Sequence, residues 1–230
     1  MPRTLIALTA AALTLLPGSL TAQGFAVGGR AGTLGIGAEV ALGMGPNLTV
    51  RGGMGLLPIE RDASGYWDVG NNVDLTLKMP DTWYNVGLDL YLGSSFRVGG
   101  GMLFKPDNPT VTATLASSAS IELDGVTYDG SDVGEVIGTV DSKSQAPYVI
   151  VGFGKHTASG IGLFLDLGLA FLGESPVTLE ATKGNAAVIN SPAFQNGLRQ
   201  EEMNLEEDLP TWAREYWPIL NLGIKIGIGS

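Results

Sequence analysis

Apolar residues occupy every second position over much of this chain. Leu34, Ile36, Ala38, Val40 and Leu42 share one face, and Gly35, Gly37, Glu39 and Ala41 share the other. A period of two over this length predicts a strand, because successive side chains of extended backbone point to opposite sides. Gly45-Pro46-Asn47 reads as a tight turn. The alternation then resumes with Leu48, Val50, Gly52, Met54 and Leu56 against Thr49, Arg51, Gly53 and Gly55, which completes a hairpin. The unit recurs. Val86, Leu88, Leu90 and Leu92 oppose Asn85, Gly87, Asp89 and Tyr91; beyond Gly93-Ser94-Ser95, Phe96, Val98, Met102 and Phe104 oppose Arg97, Gly99, Gly101 and Lys105. Val149, Val151 and Phe153 oppose Ile150, Gly152 and Gly154. Past Thr157-Ala158-Ser159-Gly160, the row Ile161, Leu163, Leu165, Leu167, Leu169 and Phe171 opposes Gly162, Asp166, Gly168 and Ala170. A last strand sets Leu220, Leu222, Ile224, Ile226 and Ile228 against Asn221, Gly223, Lys225, Gly227 and Gly229.

The connections alternate in length. They are short at Gly45 to Asn47, Gly93 to Ser95 and Thr157 to Gly160, and long at Glu60 to Asn72, Pro106 to Ala146 and Lys183 to Trp217. Counting back from the final strand, one more strand must precede Leu34, and Gly24 to Arg30 is the only candidate, which makes eight. Before Gly93 the outward row shifts from odd positions (Val73, Leu75, Leu77) to even ones (Val86, Leu88), so a bulge or break is expected at Pro80-Asp81. Ser191 to Tyr216 reads as a helix inside the last long loop. Ser191 caps it, Pro192 takes its first turn, and Phe194, Leu198, Leu205, Leu209 and Trp212 form its apolar side. Its other side carries Glu201, Glu202, Glu206, Glu207 and Asp208, and it ends or breaks near Pro210.

Composition explains what the apolar row faces. Only 16% of residues are charged, 34 of 230 are Gly, and mean hydropathy is positive, yet no later run is long and apolar enough for a membrane helix. A barrel in lipid has these properties: an apolar outer row, and a Gly-rich, polar row facing a crowded lumen. The fold expected is therefore all-β, an eight-stranded antiparallel transmembrane up-and-down barrel with a helix, residues 191–216, in the last long loop. Arg3, the apolar run Leu5 to Leu16 and the small-residue ending Leu20-Thr21-Ala22 have the layout of a cleaved secretory signal, residues 1–22, with one domain over residues 23–230. The absence of Cys excludes disulfides and thiolate metal sites. A net charge of −10 argues against nucleic acid as a partner.

Strand parity directs six ionisable side chains into the lumen: the acids Glu39, Asp89 and Asp166, and the bases Arg51, Arg97 and Lys225. Unpaired buried charge is costly, so these groups are expected to pair and fill the barrel; a lumen that selects or passes ions is the other reading. The only histidine, His156, reads as a solvated turn residue without a partner for general-base chemistry, and no catalytic residue, cofactor or metal site is expected. Gly32-Thr33-Leu34-Gly35-Ile36-Gly37 lacks the Lys-Ser/Thr of a phosphate loop. Acidic groups at Asp62 to Asp68, and at Asp124, Asp129, Asp132 and Glu135, lack calcium-loop spacing and read as solvated surface. Trp67, Trp83, Tyr84, Trp212, Tyr216 and Trp217 gather near outer strand ends and are expected as interfacial aromatics.

Gly32 to Glu39, Arg51-Gly52-Gly53, Ala146-Pro147-Tyr148 with Gly152-Phe153-Gly154, Leu165-Asp166-Leu167-Gly168 and Trp217-Pro218-Ile219-Leu220 together give the chain its family character. It resembles the small bacterial outer-membrane barrels of the OmpA and OmpW type, most closely an uncharacterised proteobacterial outer-membrane group. The resemblance implies outer-membrane location and lipid contact, with no assigned activity. One departure is the ending Gly227-Ile228-Gly229-Ser230, where such barrels commonly carry an aromatic residue. The functional expectation is a non-catalytic envelope protein with a filled lumen, meeting an extracellular ligand, if any, through its long loops. A narrow channel for small or apolar solutes, and a soluble periplasmic lipid-binding barrel with the apolar row turned inward, are the alternatives.

Overall fold

The computed structural model describes residues 24–64 and 72–228. The expected signal, residues 1–22, and Trp67 lie outside the described residues. Strands are numbered in chain order. Eight of them, β1 (Phe25–Gly32), β2 (Ile36–Gly43), β3 (Leu48–Leu56), β6 (Thr82–Tyr91), β7 (Phe96–Phe104), β12 (Gln145–Phe153), β13 (Gly160–Phe171) and β15 (Tyr216–Ile228), form a closed antiparallel barrel. Each pairs with the next barrel strand along the chain, and β1 closes on β15 with Val27 opposite Ile226. The barrel is the eight-stranded meander expected from the alternation. Its outward row is aliphatic: Leu163 is 69% exposed, Leu222 60% and Ile36 74%. The inward row is buried, so the apolar face points away from the lumen.

The start of β2 departs from the expected parity. Leu34 is buried inside the barrel while Ile36 faces out, because the β1–β2 turn passes through Gly35 at φ +84°, a left-handed conformation that favours glycine. The Thr33 hydroxyl accepts from Leu220 N at 2.9 Å and its carbonyl accepts from Trp217 Nε1 at 3.2 Å, fixing the turn to β15.

The three long connections are not plain loops. They contribute β4 (Glu60–Asp62), β5 (Val73–Lys78), β8 (Thr110–Leu115), β11 (Glu135–Val140) and β14 (Val177–Ala181), which form a five-stranded sheet in the order β14-β11-β8-β5-β4, besides a hairpin of β9 (Ser120–Leu123) and β10 (Val126–Asp129). This cap has its own core, in which Val73, Leu75, Leu115, Leu123, Val133, Phe194 and Leu198 pack together. Val73, Leu75 and Leu77 are therefore not an outward barrel row. The break at Pro80-Asp81 separates two strands of different sheets, so the parity shift marks a change of sheet rather than a bulge within one strand. At the barrel mouth Lys105 Nζ binds the Asn108 side chain, Asn108 donates to Asp141 at 3.0 Å, and Asp141 accepts from Thr178 of β14 at 3.0 Å, tying cap to barrel.

Short helices α1 (Gly130–Val133) and α2 (Ala186–Ile189) precede the long α3 (Pro192–Asp208), and α4 (Thr211–Glu215) follows it. The Ser191 hydroxyl accepts from Phe194 N at 3.3 Å as the N-cap, Pro192 occupies the first turn, and Pro210 separates α3 from α4. Part of the acidic side of α3 turns inward onto the sheet. Glu206 accepts from Val177 N at 2.8 Å and Glu202 from Leu179 N at 2.7 Å, so two carboxylates one helical turn apart satisfy alternate donors of the edge strand β14. Open edges invite pairing with other chains. The Glu202→Ala/Glu206→Ala double variant is expected to cost about 1 kcal/mol for each lost bond; amide hydrogen exchange at Leu179 should accelerate while barrel amides keep their protection.

In the same cap, Glu135 accepts from Lys183 Nζ at 2.7 Å and from the Thr182 hydroxyl at 2.8 Å. These two donors, Lys183 first, hold its carboxyl below the ordinary 4.5. A depressed folded value adds stability that is present above 4.5 and is lost as pH falls through the lower value. Proteolytic nicking of the cap is therefore expected to rise on acidification below that pH, and Glu135→Gln should flatten the dependence.

Candidate functional site

Inside the barrel, the half nearer the short turns holds charge. Arg51 Nη1 lies 2.7 Å from Asp166 Oδ2 and 3.3 Å from Glu39 Oε2, and its Nε lies 3.3 Å from Asp89 Oδ2. Arg97 meets Asp89 at 3.1 Å, pairs with Asp166, and donates to the carbonyls of Phe153 at 3.1 Å and Gly154 at 2.6 Å. Arg30 reaches Glu39 at 3.4 Å. Three guanidinium groups thus face three carboxylates, all buried. Such a cluster is tolerable in a low-dielectric interior only when mutually paired. The lumen glycines make the room: a Cβ on Gly152 would lie 2.6 Å from Arg97 Cζ.

His156 closes this layer from below and is no solvated turn residue. It is 2% exposed, its Nε2 lies 2.7 Å from Glu39 Oε1, and its ring packs at a tilt of 43° against Phe164 with centroids 4.5 Å apart. The Tyr91 hydroxyl accepts from His156 N at 2.9 Å and faces Nδ1 at 3.2 Å. The imidazole thus bridges the Tyr91 hydroxyl on one side and the Glu39 carboxylate on the other. The chain beyond β12 therefore curls back under the lumen. Lys225 does point inward but stands apart from the ion pairs, because its Nζ is taken by the carbonyls of Ala158 and of Gly160, the latter at 3.3 Å.

The half nearer the cap is apolar. Leu34, Trp83, Leu103, Ala146, Tyr148, Ile150, Ala170, Leu172 and Ile219 pack as one cluster, with Trp217 against it. Trp83 is fully buried, its ring centroid 4.6 Å from that of Trp217. Neither is an interfacial aromatic: Trp83 falls on the inward row with Asn85, Gly87 and Asp89, and Trp217 reaches in over the turn at Thr33. Tyr84 and Trp212 face outward, 43% and 69% exposed. Tyr216 is half-buried and meets Phe171 edge-on at 5.6 Å. Between the two layers lie Asn85 and Asn221, both buried.

The geometry defines a class: a closed eight-stranded barrel, aliphatic outside, with a charged and an apolar layer stacked inside and a folded cap at one end. No protein-family model and no curated protein matches the sequence. Among solved structures, the chain is similar to CarO2 of Acinetobacter baumannii, at 16% identity and a TM-score of 0.56 over 90% of this chain and 99% of that one. CarO of the same organism follows at 14% identity and a TM-score of 0.50, over 91% and 99%. A major outer membrane protein from Thermus thermophilus gives 15% and 0.44, over 89% and 99%. What is shared with the two CarO structures at these identities is the fold.

Proposed function

We propose that the chain is an integral outer-membrane barrel, delivered by a cleaved signal over residues 1–22, that conducts nothing of its own and acts in envelope structure or surface contact through its cap. The observation that carries this is the stacking of two side-chain layers inside the barrel, the ion-paired charges around Asp166 and the apolar cluster around Trp83, which supports a filled lumen. The exterior supports the location, since a barrel with aliphatic residues outside and charge inside is at its lowest free energy in hydrocarbon. Closer kinship with OmpA- and OmpW-type barrels belongs to the same proposal and is supported by the eight-strand meander with short turns at one end. The narrow-channel alternative needs both layers to move aside. A soluble lipid-binding barrel needs the apolar row inside, whereas Leu222, Ile224 and Ile226 point out.

Refolding residues 23–230 into detergent micelles or lipid tests the membrane reading. A compact band that shifts on boiling is expected. A chain that stays soluble without detergent and shows no such shift would overturn it.

A further inference from the structure

Arg30 is the least satisfied guanidinium in the lumen. Its partners on the two adjacent strands are glycines, Gly37 on β2 and Gly223 on β15, so its side chain has room to lie across the wall. Nη1 alone is engaged, 3.4 Å from Glu39 Oε2, an oxygen that Arg51 Nη1 also approaches at 3.3 Å. Nε and Nη2 are buried and make no hydrogen bond among the described residues. These two nitrogens share one edge of the guanidinium plane. Their parallel N–H bonds form the fork that takes two oxygens of a planar anion at once.

Other unpartnered groups border the same space. A Cβ on Gly53 would lie 3.2 Å from Arg30 Cζ and 2.9 Å from Asn85 Oδ1, and the Tyr148 hydroxyl sits where a Cβ on Gly87 would stand. Gly53 pairs with Asn85 and Gly87 with Arg51 across β3 and β6, so the three side chains meet over a floor left by two neighbouring lumen glycines. Asn85 Oδ1 and the Tyr148 hydroxyl also lack a hydrogen-bond partner. Arg30, Asn85 and Tyr148 are 3%, 6% and 3% exposed. Turned through half a rotation, the Asn85 amide offers its nitrogen to this space in place of its oxygen.

Charge points the same way. Below the apolar layer four cations, Arg30, Arg51, Arg97 and Lys225, face three carboxylates, Glu39, Asp89 and Asp166. One positive charge is left over even with His156 neutral. Lys225 is held by carbonyls, and Arg51 and Arg97 each meet at least two carboxylates. An anion therefore finds both free donors and uncancelled charge at Arg30.

We infer that this buried site binds one small monovalent anion with two coplanar oxygens, a carboxylate of the size of formate, in the fork of Arg30 with the Tyr148 hydroxyl donating to it. The site is the same in a closed or a conducting lumen, so it goes beyond the filled-lumen reading.

The test refolds residues 23–230 into nonionic micelles with sodium formate or sodium chloride at constant ionic strength, so that the anion is present before the barrel closes. The urea midpoint is read from the boiling-sensitive band. A ligand bound only by the folded chain raises that midpoint. The wild-type midpoint is expected to rise with formate and level off, at several-fold lower concentration than any rise with chloride. Arg30→Lys keeps the charge but lacks the fork, and should lose the preference for formate. Tyr148→Phe removes only a hydroxyl without a protein partner, and should need several-fold more formate. An equal rise in all three chains, or none in any, would overturn the site and leave its polar atoms to water. If Arg30→Lys gives no boiling-sensitive band, Tyr148→Phe decides, and the same formate dependence as wild type overturns the site. Absence of the band in wild type would overturn the barrel, and the site with it.

Discussion

Replacing Asp166 by leucine is expected to lower barrel stability by about 3–5 kcal/mol, the cost of breaking a buried ion pair by removing one partner. Asp166 is fully buried and faces two guanidinium groups at once, Arg51 at 2.7 Å and Arg97 through its other oxygen. Its loss leaves three buried guanidinium groups against Glu39 and Asp89. Asp166→Asn keeps the shape and removes only the charge, so it should cost nearly as much if pairing is what matters. The urea midpoint of each variant in lipid vesicles reads the effect; an unchanged midpoint for both would sink the pairing account. Arg97 loses more than Arg51 in these variants, because its remaining carboxylate is Asp89 alone.

Trp83→Ala carries the second large effect, again about 3–5 kcal/mol, here from a cavity in the apolar layer. The ring is fully buried against Trp217, Leu34 and Leu103 in the upper half of the lumen, and the surrounding strands are held by the barrel ladder, so the walls have little freedom to collapse. Trp83→Phe, which leaves an aromatic ring in place, should cost distinctly less. Because the charge layer lies below and is untouched, Trp83→Ala should weaken the barrel without opening it. A stability within about 1 kcal/mol of wild type, close to the worth of a single buried methylene, would mean that the apolar layer does not hold the barrel together.

Barrel strands are readable because an exterior that is aliphatic on every strand leaves little choice. One row is aliphatic and faces out while the other fills the lumen, so the period of two is almost unbroken from Ile161 to Phe171 and from Leu220 to Ile228. The cap faces water and its strands are short, so the alternation of Thr110, Thr112 and Thr114 with Val111, Ala113 and Leu115 is a weaker signal, and it was hidden inside a segment expected to be a loop. Parity likewise placed Glu39, Arg51, Asp89, Arg97 and Asp166 in the lumen, where the structure brings them into one cluster. Arg30 escaped because β1 is mostly Gly and Ala and offers no aliphatic row from which to count. Trp83 could have been placed by carrying the inward row back from Asp89 through Gly87 and Asn85; its position at a strand end favoured the interfacial reading instead. His156 had no sequence signal of its own. It lies past the last strand residue, Phe153, where parity ends, and only the fold returns it to Glu39.

The measurement that bears most directly on the proposal of a closed lumen is current across a planar lipid bilayer holding the refolded wild-type protein. Silence at moderate voltage, with the boiling-sensitive band confirming insertion, is the predicted result. Steady openings of constant size would contradict the account and make the buried charges the lining of a pore.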